Sequence, residues 1–225
     1  MVLIIDTKKE RQDGGYTRLF DNPQLGGLIS KVHATSIRTG KELEKLVIEK
    51  HSDIMTSCEF EEFKCGRLAS GKGRYIICGK VLTTQLNPFL GTTGEPDFIV
   101  VLLIEKNCYI IELKDGDTFD TKKSDGEIAS LQNYRSKFSS KFPDYSVYIK
   151  FCSFNASTKE QIVTGMKGRI STKEAMTGRE FCSLIGISFD NIIERRKQEA
   201  KRNLDYFVGR LLGIKEVAAL VRSKI

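Results

Sequence analysis

Residues 94–116 read GEPDFIVVLLIEKNCYIIELKDG. Two apolar runs, 97–105 and 108–114, are separated only by Lys106-Asn107, which has the character of a tight turn. The first run is almost continuously apolar, as expected of a strand covered on both faces. The second reads as the next strand. So short a break predicts a hairpin. Residues two apart on a strand project to the same side, so Glu112 and Lys114 share a face and Leu113 turns to the other. In a hairpin the start of the first strand lies beside the end of the second, which brings Asp97 to Glu112 and Lys114.

The pattern extends outward from this hairpin. RYIICGKVL (74–82) reads as a strand, and 83–96, with its Pro and Gly, as a loop. Thr39-x-x-Glu42 has the form of a capping box and predicts a helix to about His51. Residues 1–38, with Gly14, Gly15, Pro23, Gly26 and Gly27, read as loops and short elements. Downstream, Ser124-x-x-Glu127 is a second capping box, ahead of a helical stripe of Ile128, Leu131, Tyr134, Phe138 and Phe142 that Pro143 ends. YSVYIKF (145–151) alternates as a strand, and 157–186 reads as short helices and loops with boxes at Ser157/Glu160, Ser171/Glu174 and Thr177/Glu180. A long amphipathic helix is expected from Ser188 to Leu212, with Gly213 beyond its end and an apolar stripe of Ile192, Ile193, Ala200, Leu204, Phe207 and Leu211 that reads as core, with a dimer seam as the alternative. The order predicts an α/β fold with a mixed central sheet flanked by helices and a mainly helical C-terminal part.

Two carboxylates and a lysine at one sheet end have a definite chemistry. Carboxylate and backbone oxygens suit Mg²⁺, a hard ion that keeps several waters. Such an ion polarises a phosphate oxygen and acidifies bound water, and a neighbouring ammonium offsets charge building on the phosphorus. A strand-terminal Glu-x-Lys is also ordinary on a solvated face. Here, however, a helix follows that should cover the sheet, which argues against a merely solvated role.

Pro96-Asp97 followed by Glu112-Leu113-Lys114, on apolar strands and ahead of a capped helix, resembles the PD-(D/E)XK nuclease superfamily, of which type II restriction endonucleases are a large group. That core is a helix, three strands, a helix and a further strand, and residues 39–152 follow its order, about half the chain. The resemblance implies a restriction-endonuclease-like core in a single nuclease domain over 1–225, with residues 157–225 as a helical recognition region. It implies catalytic Asp97, Glu112 and Lys114, with Mg²⁺ held by Asp97, Glu112 and the Leu113 carbonyl. An extra acid from the first helix, Glu44 or Glu49, belongs to the pattern in some members. The activity implied is Mg²⁺-dependent hydrolysis of double-stranded DNA at a short specific site, leaving a 5′-phosphate. A palindromic site implies a homodimer, and a restriction system a cognate DNA methyltransferase. A repair or junction-resolving nuclease, or a DNA-binding protein that does not cut, are the alternatives on the same core.

Bulk properties agree with this reading without specifying it. The 225 residues carry a formal net charge of +7, which favours polyanionic partners. Among glycines, Lys167, Arg169, Lys173 and Arg179 suit contact with DNA phosphates and base edges; the basic run Arg195-Arg196-Lys197 to Lys201-Arg202 is equally consistent with a solvated helix face. No apolar run is long enough for a membrane span and the N-terminus lacks a secretory h-region, so a cytoplasmic protein is expected. Six cysteines without a Cys-x-x-Cys pair, and two histidines, argue against zinc and for reduced core thiols. Residues 66–72 (GRLASGK) approach a phosphate-binding loop, but Gly73 stands where Ser or Thr is required and a strand follows where a helix is needed.

Overall fold

The computed structural model describes residues 2–8, 12–49, 51–116 and 121–224. They form two compact units, one of Met1–Leu46 with Asp190–Ile225 and one of Val47–Phe189.

The first unit is helical. α1 (Gly15–Phe20) is followed by α2 (Pro23–Glu49), which runs on into the second unit. The expectation of loops before residue 39 is therefore corrected. Gly26 and Gly27 lie inside α2, and a Cβ on Gly26 would fall 2.6 Å from the backbone of Thr17. Gly26 answers a close approach of α1, a tertiary demand that looks like a turn signal in the sequence. Thr39, read as an N-cap, is mid-helix, and its hydroxyl donates back to the Thr35 carbonyl at 3.2 Å.

α9 (Phe189–Leu212) and α10 (Lys215–Arg222) complete this unit. α9 follows the expected bounds within one residue, and α10 was not foreseen. The expected stripe on α9 is only partly core: Ile192 is buried, whereas Leu204 is 62% exposed. The N-terminal segment is tied to α9 by Asn203, whose Oδ1 accepts from Ile4 N at 2.8 Å and whose Nδ2 donates to Val2 O at 3.1 Å.

The second unit holds a five-stranded sheet in the order β1-β2-β3-β4-β5: β1 (Arg74–Ile77), β2 (Phe98–Leu102), β3 (Asn107–Lys114), β4 (Ser146–Ser153) and β5 (Ala175–Thr177). β1, β2 and β3 pair antiparallel, and β3, β4 and β5 parallel. The helices of this unit are α3 (Ser57–Lys64), α4 (Gly79–Val81), α5 (Asn87–Leu90), α6 (Thr121–Lys141), α7 (Lys159–Gly165) and α8 (Gly178–Ile185). The α/β class, the mixed sheet and the hairpin of β2 and β3 agree with the sequence reading. β2 is buried from Phe98 to Val101, as a strand covered on both faces requires.

Several local expectations are corrected. β1 stops at Ile77, and 79–90 is helical, α4 passing through a π-helical turn (Leu82–Leu86) into α5. Leu82, Leu86 and Leu90, four apart, are buried, so core packing overrides the loop character of this stretch. The region 157–186 contains β5, a strand too short to announce itself by alternation. The cap of α7 is Thr158 with Gln161, one residue beyond the expected pair, whereas the Thr177/Glu180 box at α8 is present. α6 begins at Thr121, before the predicted cap at Ser124, whose side chain lies outside the described residues. Its stripe of Leu131, Tyr134, Phe138 and Phe142 is buried as expected.

Cys78, Cys108, Cys152 and Cys182 are buried free thiols, while Cys58 and Cys65 are exposed on and just after α3. Residues 66–72 do not lead into a helix: a 3-10 turn (Ser70–Lys72) is followed directly by β1. No helix among the described residues is long and apolar enough to cross a membrane.

The entry to β1 is clamped by Arg74, whose Nη2 lies 2.9 Å from Asp53 Oδ2 and whose Nη1 donates to Leu184 O at 3.0 Å. His51 stands beside this pair with its side chain 5% exposed. Burial lowers its pKa, helped by the Arg74 charge and opposed by Asp53.

Two stability experiments follow. Gly26→Ala is expected to destabilise the chain by roughly 1–3 kcal/mol, the scale of overpacking. Gly40→Ala, in the same helix but with open space around its Cβ position, should stabilise by roughly 0.5–1 kcal/mol. Urea denaturation measures both, and equal effects would contradict the packing of α1 on Gly26. Because the folded His51 binds its proton more weakly than the unfolded one, the unfolded state takes up more protons in the acid part of the histidine range. Stability attributable to the neutral ring is thus present above the ordinary histidine pKa and falls as pH drops below it. His51→Asn should flatten that slope in denaturation midpoints between about pH 7.5 and 5.5, and an unchanged slope would exclude the ring as its source.

Candidate active site

The end of β3 presents Glu112, Leu113 and Lys114 in strand alternation. Leu113 is buried on one side, and the two polar residues project on the other. Lys114 Nζ lies 2.6 Å from Glu112 Oε1. Asp97 immediately precedes β2. The register pairs Phe98 with Ile111, so its continuation by one step sets Asp97 opposite Glu112. Opposed residues of an antiparallel pair share a face with Cβ atoms roughly 5 Å apart. The hairpin thereby brings Asp97, Glu112 and Lys114 together.

A hydrogen bond fixes the arrangement. Leu113 N–H donates to Asp97 Oδ2 at 2.6 Å. The same register sets Leu113 opposite Pro96, which has no N–H to give back. Along a strand the N–H and C=O of one residue point to the same neighbour. The Leu113 carbonyl therefore opens on the side of Asp97 without a ladder donor from Pro96. Lys114 O points the other way and accepts from Phe154 N at 2.9 Å.

The loop that delivers Asp97 lies against α6. A Cβ on Gly94 would come within 3.1 Å of Ser130 Oγ and 3.2 Å of the Tyr134 ring. Tyr134 is buried and donates to Asn87 Oδ1 at 2.8 Å, joining α6 to α5. Lys137 adds a hydrogen bond to Gly91 O.

Sequence reasoning missed one member of this cluster. Glu127, taken for a capping residue, extends from α6 so that its Oε1 lies 3.0 Å from Lys114 Nζ. The ammonium thus sits between two carboxylates supplied by different elements. Glu112 is the more enclosed, with its side chain 13% exposed against 29% for Glu127. Burial raises the Glu112 pKa, the Lys114 hydrogen bond and charge oppose it, and Glu127 adds to the rise. Burial would lower the Lys114 pKa, but the hydrogen bonds and charges of Glu112 and Glu127 outweigh it, so the lysine holds its proton more firmly than usual.

Glu44 lies on α2 within the helical unit, and Glu49 ends the same helix in the sheet unit. Asp115 is engaged with Asn155, whose amide donates to its carbonyl and, at 3.1 Å, to its Oδ1. Asp117 and Asp120 fall outside the described residues. Lys167, Arg169, Lys173 and Arg179 are all exposed. Lys167 has φ 52° just after α7, Arg169 pairs with Asp125 at 2.8 Å, and the Arg179 guanidinium lies 4.7 Å from the centre of the Phe189 ring.

Among the described residues, no group of three or more His, Cys, Asp or Glu side chains could hold a metal ion by itself. The donors at the hairpin end are two carboxylates and one backbone carbonyl, all oxygen. That set does not suit a soft ion, and it fits a small hard cation that retains water in its other positions.

Over 217 residues the chain is 36% identical to the type II restriction enzyme HhaII of Haemophilus parahaemolyticus, and the match covers 95% of each chain. The chain belongs to the type II restriction enzyme family. No family model matches it, and no solved structure matches it. The match runs through both units and so includes the hairpin, α6 and the helical unit of this restriction enzyme family member.

Proposed function

We propose that this chain is a Mg²⁺-dependent endodeoxyribonuclease of the PD-(D/E)XK type that cuts double-stranded DNA at a short specific site. The observation that carries the reading is Asp97 opposed to Glu112 across the end of the hairpin, with Lys114 Nζ 2.6 Å from Glu112. Membership of the restriction enzyme family supports the site-specific form over a repair nuclease or a binding protein.

Asp97, Glu112 and the Leu113 carbonyl would hold Mg²⁺. The ion supplies polarisation of a phosphate oxygen and a more acidic bound water. The chain's own residues do the rest. The Leu113 N–H orients the Asp97 carboxylate, so that acid is set before any ligand arrives. Lys114 carries a retained proton on an ammonium held against Glu112, from which it would orient an attacking water and offset charge growing on the phosphorane. Exposed Lys167, Arg169, Lys173 and Arg179 would meet the DNA backbone and base edges. A two-fold dimer would match a palindromic target, and a methyltransferase modifying the same site would protect the host's DNA.

Plasmid digestion with and without Mg²⁺ tests the function. Discrete fragments that require the metal are expected, and no cleavage across several DNAs and divalent ions would overturn it. Asp97→Asn keeps an oxygen for the Leu113 N–H but removes the charge. It and Lys114→Ala should each cut roughly 100- to 1000-fold more slowly, the scale of losing one charged group at the reacting centre, with thermal unfolding little changed. Either variant cutting at the normal rate would remove that residue from the site.

A further inference from the structure

Glu127 lies outside the motif, yet it makes the second ion pair of Lys114. The two contacts on one nitrogen, 2.6 Å to Glu112 and 3.0 Å to Glu127, come from independent elements, β3 and α6. The position of Glu127 is set by packing. Leu131, Tyr134 and Phe138, at four, seven and eleven residues further along α6, are buried in the core of the sheet unit, which holds the helix in one rotation.

The proposed site contains a competition. Glu112 is the acceptor of the Lys114 ammonium at the shorter distance, and the same carboxylate is a proposed ligand of the cation. A divalent cation on that carboxylate would repel an ammonium held 2.6 Å from it. A lysine driven off Glu112 with no other anion at hand would leave a half-buried ammonium unpaired, a cost that would weaken cation binding. Glu127 is the other anion already in contact.

We propose that Glu127 is a positioning residue that takes the Lys114 ammonium from Glu112 when a divalent cation binds, freeing that carboxylate while keeping the lysine at the reacting centre. This rests on the metal reading given under Proposed function. Glu127 acts through Lys114, and its own oxygens stay out of the cation's ligand set. The partial exposure of Glu127 suits the task, since its side chain keeps more freedom to follow the ammonium than the enclosed Glu112 has.

A double-mutant cycle read by Mn²⁺ binding tests this without relying on turnover. Calorimetric titration of the full chain with Mn²⁺ is compared for wild type, Glu127→Ala, Lys114→Ala and the double variant. Glu127→Ala is expected to weaken Mn²⁺ binding roughly 10-fold, in the range known for residues that support metal ligands. The weakening should vanish when Lys114 is already Ala, and Glu127→Asp should restore part of it. In cleavage assays at saturating metal, Glu127→Ala should lower kcat with little change in KM. Wild-type Mn²⁺ affinity in Glu127→Ala would overturn the proposal. So would an equal loss in the Lys114→Ala background, which would make Glu127 a ligand or a simple source of field. A wild-type chain that binds no Mn²⁺ would overturn the metal reading itself, and this proposal with it.

Discussion

The antiparallel register that sets Phe98 against Ile111 is the constraint on which the site depends. A slip of one residue would turn every side chain of one strand to the other face. Glu112 and Lys114 would then point away from Asp97. The register is secured at both ends. At one, the turn between the strands carries Lys106 at φ 52°, and its carbonyl accepts from Ser146 N at 2.8 Å, which ties the turn to the start of β4. At the other, the Leu113 N–H to Asp97 bond replaces the ladder where Pro96 interrupts it. The proline that precedes β2 is thus also what leaves the Leu113 carbonyl open beside the acids.

Legibility in the sequence followed the range of the interactions involved. Glu112 and Lys114 were placed on one face by strand period alone, a local property. Asp97 needed one topological step, and the two-residue break between apolar runs left little choice but a hairpin. Glu127 was not legible. Its contact with Lys114 depends on how α6 is rotated on the sheet, and Ser124-x-x-Glu127 offered a competing local role. With three residues, β5 exists through its parallel pairing with β4, which no local pattern encodes.

The sharpest misreadings concern glycine and β-branched residues, whose local signals have two meanings. Gly26 and Gly27 looked like turn residues, and the structure puts them inside a 27-residue helix where α1 leaves no room for a Cβ at Gly26. The β-branched character of 74–82 favoured a strand through Leu82, and Pro and Gly a loop after it, whereas the burial of Leu82, Leu86 and Leu90 at helical spacing decided for a helix with a π-turn. In both cases tertiary packing prevailed over propensity. Family membership rests on different ground, since a match over 95% of the chain reaches beyond the hairpin into the helical unit, where the motif says nothing.

The central claim is that the hairpin end is a cation site built on oxygen donors. Crystals soaked in Mn²⁺, with anomalous scattering to locate the ion, test it most directly. The ion is expected in contact with the Asp97 and Glu112 carboxylates and the Leu113 carbonyl, at the roughly 2.1 Å typical of small hard cations. Mn²⁺ bound elsewhere in the chain, or no ion at concentrations that support DNA cleavage, would contradict it.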